Sequence, residues 1–223
     1  MTTDTEPEER SRTPLNRDRV LEAAITLADE DGLEGLSMRR LGQRLGVEAM
    51  SLYNHVANKD DLLEGIVDRV AAEFERAPID TDWRDAIRQA AISAHQALLR
   101  HPWACTLMLT SGGVSPGRLN YMEWILATCR RAGFSPAMTH HAYHALDSHI
   151  MGFTLWVVNF PAADELSDQV ASLLLDLAID DYPYLAEHIE QHLRPSTADG
   201  RSEFEFGLDL ILDGLERLRR TDE

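Results

Sequence analysis

The sequence predicts an all-α chain. Apolar residues recur at helical spacing along most of the 223 residues. No segment reads as an alternating strand, and there is no repeat of fixed period or glycine-rich phosphate loop. Gly and Pro are gathered into short breaks, "SGGVSPG", "AGFSP", "NFPAAD" and "RPSTADG", which punctuate helices rather than hairpins.

Taken in order, residues 1–15 have almost no apolar content and are expected to be a disordered tail. The first helix begins after Asn16, a capping residue, and turns Val20, Ala23, Ala24, Leu27 and Ala28 to one face before Gly32 ends it. Ser37 caps a short helix with Met38, Leu41 and Leu45 on one side, and Gly46 supplies a left-handed turn residue. A third short helix is expected from about Glu48 to Val56. Asn58, with Asp61 three residues on, then caps a fourth that runs from Lys59 to about Arg76. Further helices are expected over 82–100, 102–110, 115–132, 136–160, 163–178, 182–193 and 202–220.

Charge and composition narrow the function. The net charge is −17, which opposes nonspecific nucleic-acid binding by the surface as a whole. Residues 10–59 differ, with eight basic groups (Arg10, Arg12, Arg17, Arg19, Arg39, Arg40, Arg44 and Lys59) against seven acidic ones. The remainder holds 13 basic and 31 acidic groups, so only the N-terminal quarter can approach a polyanion without strong repulsion. Apolar runs such as "MGFTLWVVNF" are too short to span a bilayer, and no cationic start precedes an apolar core. No membrane association and a cytoplasmic location are therefore expected. Cys105 and Cys129 belong to no Cys/His cluster and are expected to be buried free thiols.

Two short helices joined by a Gly-containing turn and braced by a longer one make a helix-turn-helix. Leu52 and Val56, four apart, face the core with Val47. That leaves Ala49, Met50, Ser51, Tyr53, Asn54 and His55 to face DNA. Hydroxyls can bond phosphates, Asn can pair with adenine edges, and Met can pack on a thymine methyl. Arg39 can reach a guanine or a phosphate. Lys59 opens the next helix, where free amides favour a phosphate. No aligned base and orienting acid accompany Ser51, Tyr53 and His55, so an enzyme is not expected.

"GLEGLSMRRLGQRLGVEAMSLYNHVANKDDLL" resembles the N-terminal signature of the TetR family of bacterial transcriptional repressors, and is closest to its tetracycline-repressor-like branch. The similarity is dense over 16–63 and weaker through "RRAGFSP", "ALDSHIMGFTL" and "FEFGLDLILDGLE". It implies a helix-turn-helix domain over 16–62 and an effector-binding and dimerisation domain over 63–223. It also implies a homodimer bound to a palindromic double-stranded operator and released by a small organic effector, with no cofactor. The family's DNA contacts fall on Arg39, Ala49, Met50, Ser51, Tyr53, Asn54, His55 and Lys59. Ala49, Met50 and Asn54 depart from the branch's Gln, Pro and Trp, so a different operator sequence is implied. Glu75 stands where the branch has a drug-binding His, which argues against tetracycline as effector.

In "THHAYHALDSHIMGFTLW", His140, Tyr143, His144 and Asp147 follow i, i+3, i+4, i+7 and form a polar stripe. Three readings stay open: a solvated face, the lining of an effector pocket, or a metal site on His140, His144 and Asp147. The last is the alternative function, a helical metal-binding protein or metalloenzyme. The resemblance favours the pocket and adds Met122, Ile125, Met151 and Trp156 as wall candidates. Asp147, with the aromatic and Met candidates, points to a planar, apolar, possibly cationic effector. Ala145, Ser148 and Gly152 form a small-residue face. The last helix sets Phe204, Leu208, Ile211, Leu215 and Leu218 on one side and Gly207 and Gly214 on another. In the family this helix and the "ALDSHIMGF" helix form a four-helix dimer interface.

Overall fold

The computed structural model describes residues 14–78, 80–110, 115–160, 172, 182–192 and 202–221. Among these, every regular element is a helix: α1 Arg17–Gly35, α2 Met38–Leu45, α3 Ala49–Leu52, α4 Lys59–Ala72, α5 Trp83–Arg100, α6 Pro102–Thr110, α7 Pro116–Arg131, α8 Pro136–Asn159, α9 Pro183–His192 and α10 Glu203–Thr221. The expected tail over 1–15, apart from its last two residues, and the expected helix over 163–178, apart from residue 172, lie outside the described residues. The chain divides into two compact units, Met1–Ile66 and Val67–Glu223.

In the first unit the capping chemistry acts where the sequence places it. Asn16, Ser37 and Asn58 each accept from a backbone N–H three residues on, of Arg19, Arg40 and Asp61. Gly32, at φ 70°, breaks α1 before its last residues. Gly46 takes φ 69° and ψ 33°, the left-handed conformation that lets α2 end and the chain turn at once. Gly42 answers a different need. A Cβ there would stand 2.8 Å from the Val47 carbonyl oxygen, so the α2–α3 approach requires its absence. Val20, Ala24, Leu27, Ala28, Leu41, Leu52 and Val56 are buried, while Met38, Leu45 and Val47 are half-buried.

Two expected lengths are corrected. The third helix is not nine residues but four. Beyond Leu52 the amides of Asn54 and His55 bond three residues back, to Ser51 and Leu52, in a tightened final turn. α4 stops at Ala72, where Glu73 and Phe74 also turn to partners three residues back.

In the second unit α8 is central and packs against α5, α6, α7 and α10. Ser115 and Ser135 cap α7 and α8, each followed by Pro at the first helical position. α5 and α10 are joined by Arg88 to Asp209 at 2.9 Å and to Glu205 at 3.1 Å, and by Arg84 to Asp213 at 2.6 Å. Their apolar anchor is Phe204, which is 1% exposed. His95 stacks on its ring at 4.0 Å and His149 at 4.8 Å. The Thr154 hydroxyl donates to the Ile150 carbonyl, so His95 Nδ1 is the donor to Thr154 Oγ1 at 2.8 Å. Burial, then the neighbouring His149, holds His95 down at about 4, so it stays neutral. Cys105 and Cys129 are buried free thiols, both pushed up to about 11 by burial.

The buried stripe of α10 also differs from the expected one. It runs Phe204, Leu208, Leu212 and Leu215, while Ile211 is half-buried and Leu218 is exposed. Gly207 serves the chain itself, because a Cβ there would meet His149 at 2.6 Å. Phe204→Ala should therefore empty a site shared by three helices and lower stability by about 3–5 kcal/mol. Equilibrium urea unfolding, with the wild type alongside, measures the loss.

Candidate nucleic-acid interface and effector cavity

The helix-turn-helix residues separate cleanly by exposure. Leu52 and Val56 are buried, and their burial is worth about 1.5–3 kcal/mol each. Met50 is 74% exposed and Tyr53 43%. Asn54, Arg39 and Lys59 are exposed, and Ala49, Ser51 and His55 are half-buried. The eight candidates thus lie at or near the surface, none of them in the core.

A network of charge holds this surface from behind. The Arg17 guanidinium grips the Asp61 carboxylate in bidentate fashion, at 2.7 and 3.0 Å, and also donates to the His55 carbonyl at 3.0 Å. Asp61 accepts in addition from the Ala57 amide at 2.7 Å. One ion pair therefore joins the start of α1, the end of the α3 turn and the first turn of α4. The hydrogen bond from Arg17, then that from the Ala57 amide, lowers Asp61 to about 2. Arg44 is bidentate to Glu30 at 2.5 and 2.8 Å, and Arg40 pairs with Asp31 and the Gly35 carbonyl. Three of the local arginines are thus engaged by carboxylates. Arg39 and Lys59 have no carboxylate partner among the described residues.

In the second unit a cavity of about 350 Å³ opens between α7 and α8. Met122, His140, Tyr143 and His144, expected from the sequence, line it, joined by Leu126, Arg130, Pro136 and Thr139. The other four candidates stand elsewhere. Ile125 and Met151 are buried in the core. Trp156 is 41% exposed and stacks on Phe160. Asp147 lies 3.8 Å from the Arg118 guanidinium. Burial raises its carboxyl, while Arg118, His144 and a hydrogen bond from Tyr143 oppose that rise. The sequence reading missed Arg118, Leu126, Arg130 and Thr139. A signal existed for two of them, since Met122, Leu126 and Arg130 follow i, i+4, i+8 on α7. His140 and His144 have ring centroids 4.5 Å apart. No group of three His, Cys, Asp or Glu suited to hold a metal ion occurs among the described residues. The metal reading of the stripe therefore has no geometric support. A second cavity, of about 280 Å³, is walled by Trp83, Trp124 and Arg131 and contains none of the candidates.

A capped helix-turn-helix unit joined in one chain to a helical unit with a cavity defines a class of ligand-responsive DNA-binding regulators. Comparison with known proteins identifies the family. Residues 20–66 match the model of bacterial regulatory proteins of the tetR family, and residues 77–219 match that of the tetracyclin repressor-like C-terminal domain. The transcriptional repressor DrrR1 of Streptomyces coeruleorubidus is 34% identical, over 95% of this chain and 81% of its own. The Streptomyces coelicolor TetR family protein ActR, solved in complex with (S)-DNPA, superposes with a TM-score of 0.70 at 27% identity, covering 91% of this chain and 98% of that one. BioQ, solved with its double-stranded DNA operator, gives 0.62 at 27% identity, covering 91% and 98%. The chain belongs to the TetR family: it is a transcriptional regulator and not an enzyme. No helix among the described residues is long and apolar enough to cross a membrane.

The Asp61 network yields a test. Its carboxyl titrates lower in the folded chain than the ordinary 3.8. Its contribution is therefore whole above that pH and is lost as pH falls toward 2. Asp61→Asn should lower the melting temperature at neutral pH, and the gap from the wild type should close between pH 4 and about 2. Thermal melts across that range check both the sign and the window.

Proposed function

We propose that the protein is a homodimeric repressor that binds a palindromic operator through Arg39, Ala49, Met50, Ser51, Tyr53, Asn54, His55 and Lys59, and that a small organic effector in the α7–α8 cavity releases it. The observation that carries the DNA reading is the exposed ridge of Met50, Tyr53 and Asn54 over buried Leu52 and Val56. Arg39 and Lys59, without carboxylate partners among the described residues, supply phosphate or base contacts beside it. Residues 16–62 form the DNA-binding domain on this reading, and 63–223 the effector-binding and dimerisation domain. The cytoplasm is the compartment in which such a regulator meets DNA.

The dimer reading rests on exposed apolar surface. α8 turns Trp156 and Val158 outward, and α10 turns Phe206 at 61% exposure, Leu210 at 57% and Leu218. Beside them Ala145, Ser148 and Gly152 are exposed, and a Cβ at Gly152 would meet nothing within 4 Å. A second copy, related by a twofold axis, fits such a self-complementary patch. It would set two recognition segments on successive major grooves about 34 Å apart.

Selection from random duplexes should enrich an inverted repeat; failure to enrich any motif would contradict the operator reading. Lys59→Ala should weaken binding on all sequences and reduce the salt slope by about one per half-site. Asn54→Ala should instead relax preference at one position, with a change of about 1–3 kcal/mol. Leu210 is exposed in the single chain, so Leu210→Asp should leave folding nearly intact and yet give a monomer. Sedimentation velocity, with operator affinity measured in parallel, tests this; a Leu210→Asp dimer would refute the interface.

A further inference from the structure

Thr139 is 4% exposed, and its Oγ1 is the one buried side-chain polar atom without a hydrogen-bond partner among the described residues. A buried hydroxyl left unpaired is costly, and such groups are rare in folded chains. Thr139 also lines the α7–α8 cavity. Its missing partner is therefore to be sought in what the cavity holds.

The other polar groups of that wall have one character. His140 and His144 offer ring nitrogens, and Arg130 offers a guanidinium. That guanidinium donates to the Phe134 carbonyl and has no carboxylate partner among the described residues. No Asp or Glu lines the cavity. Asp147, the group behind the sequence-based expectation of a cationic ligand, faces Arg118 and Tyr143 instead. The remaining wall is Met122, Leu126 and the Tyr143 ring, suited to a flat hydrocarbon face.

We propose that the cavity takes an aromatic organic anion. Its rings lie against Met122, Leu126 and Tyr143, and its carboxylate or phenolate oxygens accept from the Thr139 hydroxyl and the Arg130 guanidinium. Charge-assisted bonds of this kind are about twice as strong as neutral ones. The acidic surface of the chain does not prevent this, because screening over about 8 Å at physiological ionic strength leaves the nearest groups to decide. The inference rests on the effector reading of this cavity and replaces a cationic ligand class with an anionic one.

The full-length protein is titrated with three fluorescent probes of one shape: anthracene-2-carboxylate, neutral anthracene-2-carboxamide and the N-methylacridinium cation. The carboxylate should bind about tenfold more tightly than the amide, and the cation most weakly. Arg130→Met and Thr139→Val should each reduce that preference while leaving amide affinity in place. Thr139→Val replaces an unpaired hydroxyl by a methyl, so the unliganded variant should melt no lower than the wild type; it therefore keeps the test valid if Arg130→Met folds poorly. Equal or tighter binding of the amide or the cation overturns the proposal, as does undetectable carboxylate binding at millimolar concentration. So does a preference unchanged in Thr139→Val. Operator binding is measured on the same preparations. A probe preference without any effect on operator affinity sinks the effector reading and leaves the ligand class standing. Intact operator binding without the preference does the reverse.

Discussion

The presentation of the DNA-facing residues depends on where a four-residue helix is held. A segment as short as α3 cannot fix its own position, since a single helical turn costs more in ordering than its hydrogen bonds return. It is located from outside, by the close approach at Gly42, by burial of Leu52 and Val56, and by the Arg17–Asp61 pair. An exposed ion pair is ordinarily worth little. This one differs because its members also bind two backbone groups, the His55 carbonyl and the Ala57 amide. It constrains the path of the chain on both sides of Val56, and so the direction in which Tyr53 and Asn54 project.

The same chemistry decides how much positive charge is left for a polyanion. Counting basic residues along the N-terminal segment overstates it, because Arg17, Arg40 and Arg44 answer Asp61, Asp31 and Glu30. Their guanidinium groups brace helices. The second unit repeats the pattern, with Arg84 and Arg88 binding α5 to α10 and Arg118 answering Asp147. In a chain with 38 acidic and 21 basic residues, an arginine without a carboxylate partner is informative. Arg39 faces the proposed operator side and Arg130 the cavity.

Local chemistry was legible in the sequence wherever a residue acts on its near neighbours. Asn16, Ser37 and Asn58 cap as their spacing requires, Gly46 takes the left-handed turn, and Leu52 and Val56 are buried. Features set by distant partners were not legible. The early stop of the third helix follows from a tightened turn closed against Arg17, 38 residues away. The stripe on α10 includes Leu212 and leaves Leu218 exposed because α5 and α8 choose the face, and periodicity alone allowed either. The polar stripe on α8 was visible as a stripe, but Arg118 comes from another helix and takes Asp147 out of it. Thr139 could not be singled out, since an unpaired hydroxyl is defined by what surrounds it.

α8 carries both of the second unit's proposed faces. His140, Tyr143 and His144 turn to the cavity, while Ala145, Ser148, Gly152 and Trp156 lie along the surface offered to a second copy. A helix of 24 residues packed on four others moves as a body rather than bending locally. On the proposed reading, a ligand that alters α8 at the cavity therefore alters its small-residue face as well. That movement has consequences only if the ligand prefers one arrangement, because equal affinity for both shifts nothing. A preference of about 1–3 kcal/mol is typical and corresponds to about a 5–150-fold change in operator affinity. An occupant that pairs Thr139 in one arrangement and leaves it unpaired in the other would supply a preference of that order, since an unpaired buried hydroxyl costs about 1–3 kcal/mol.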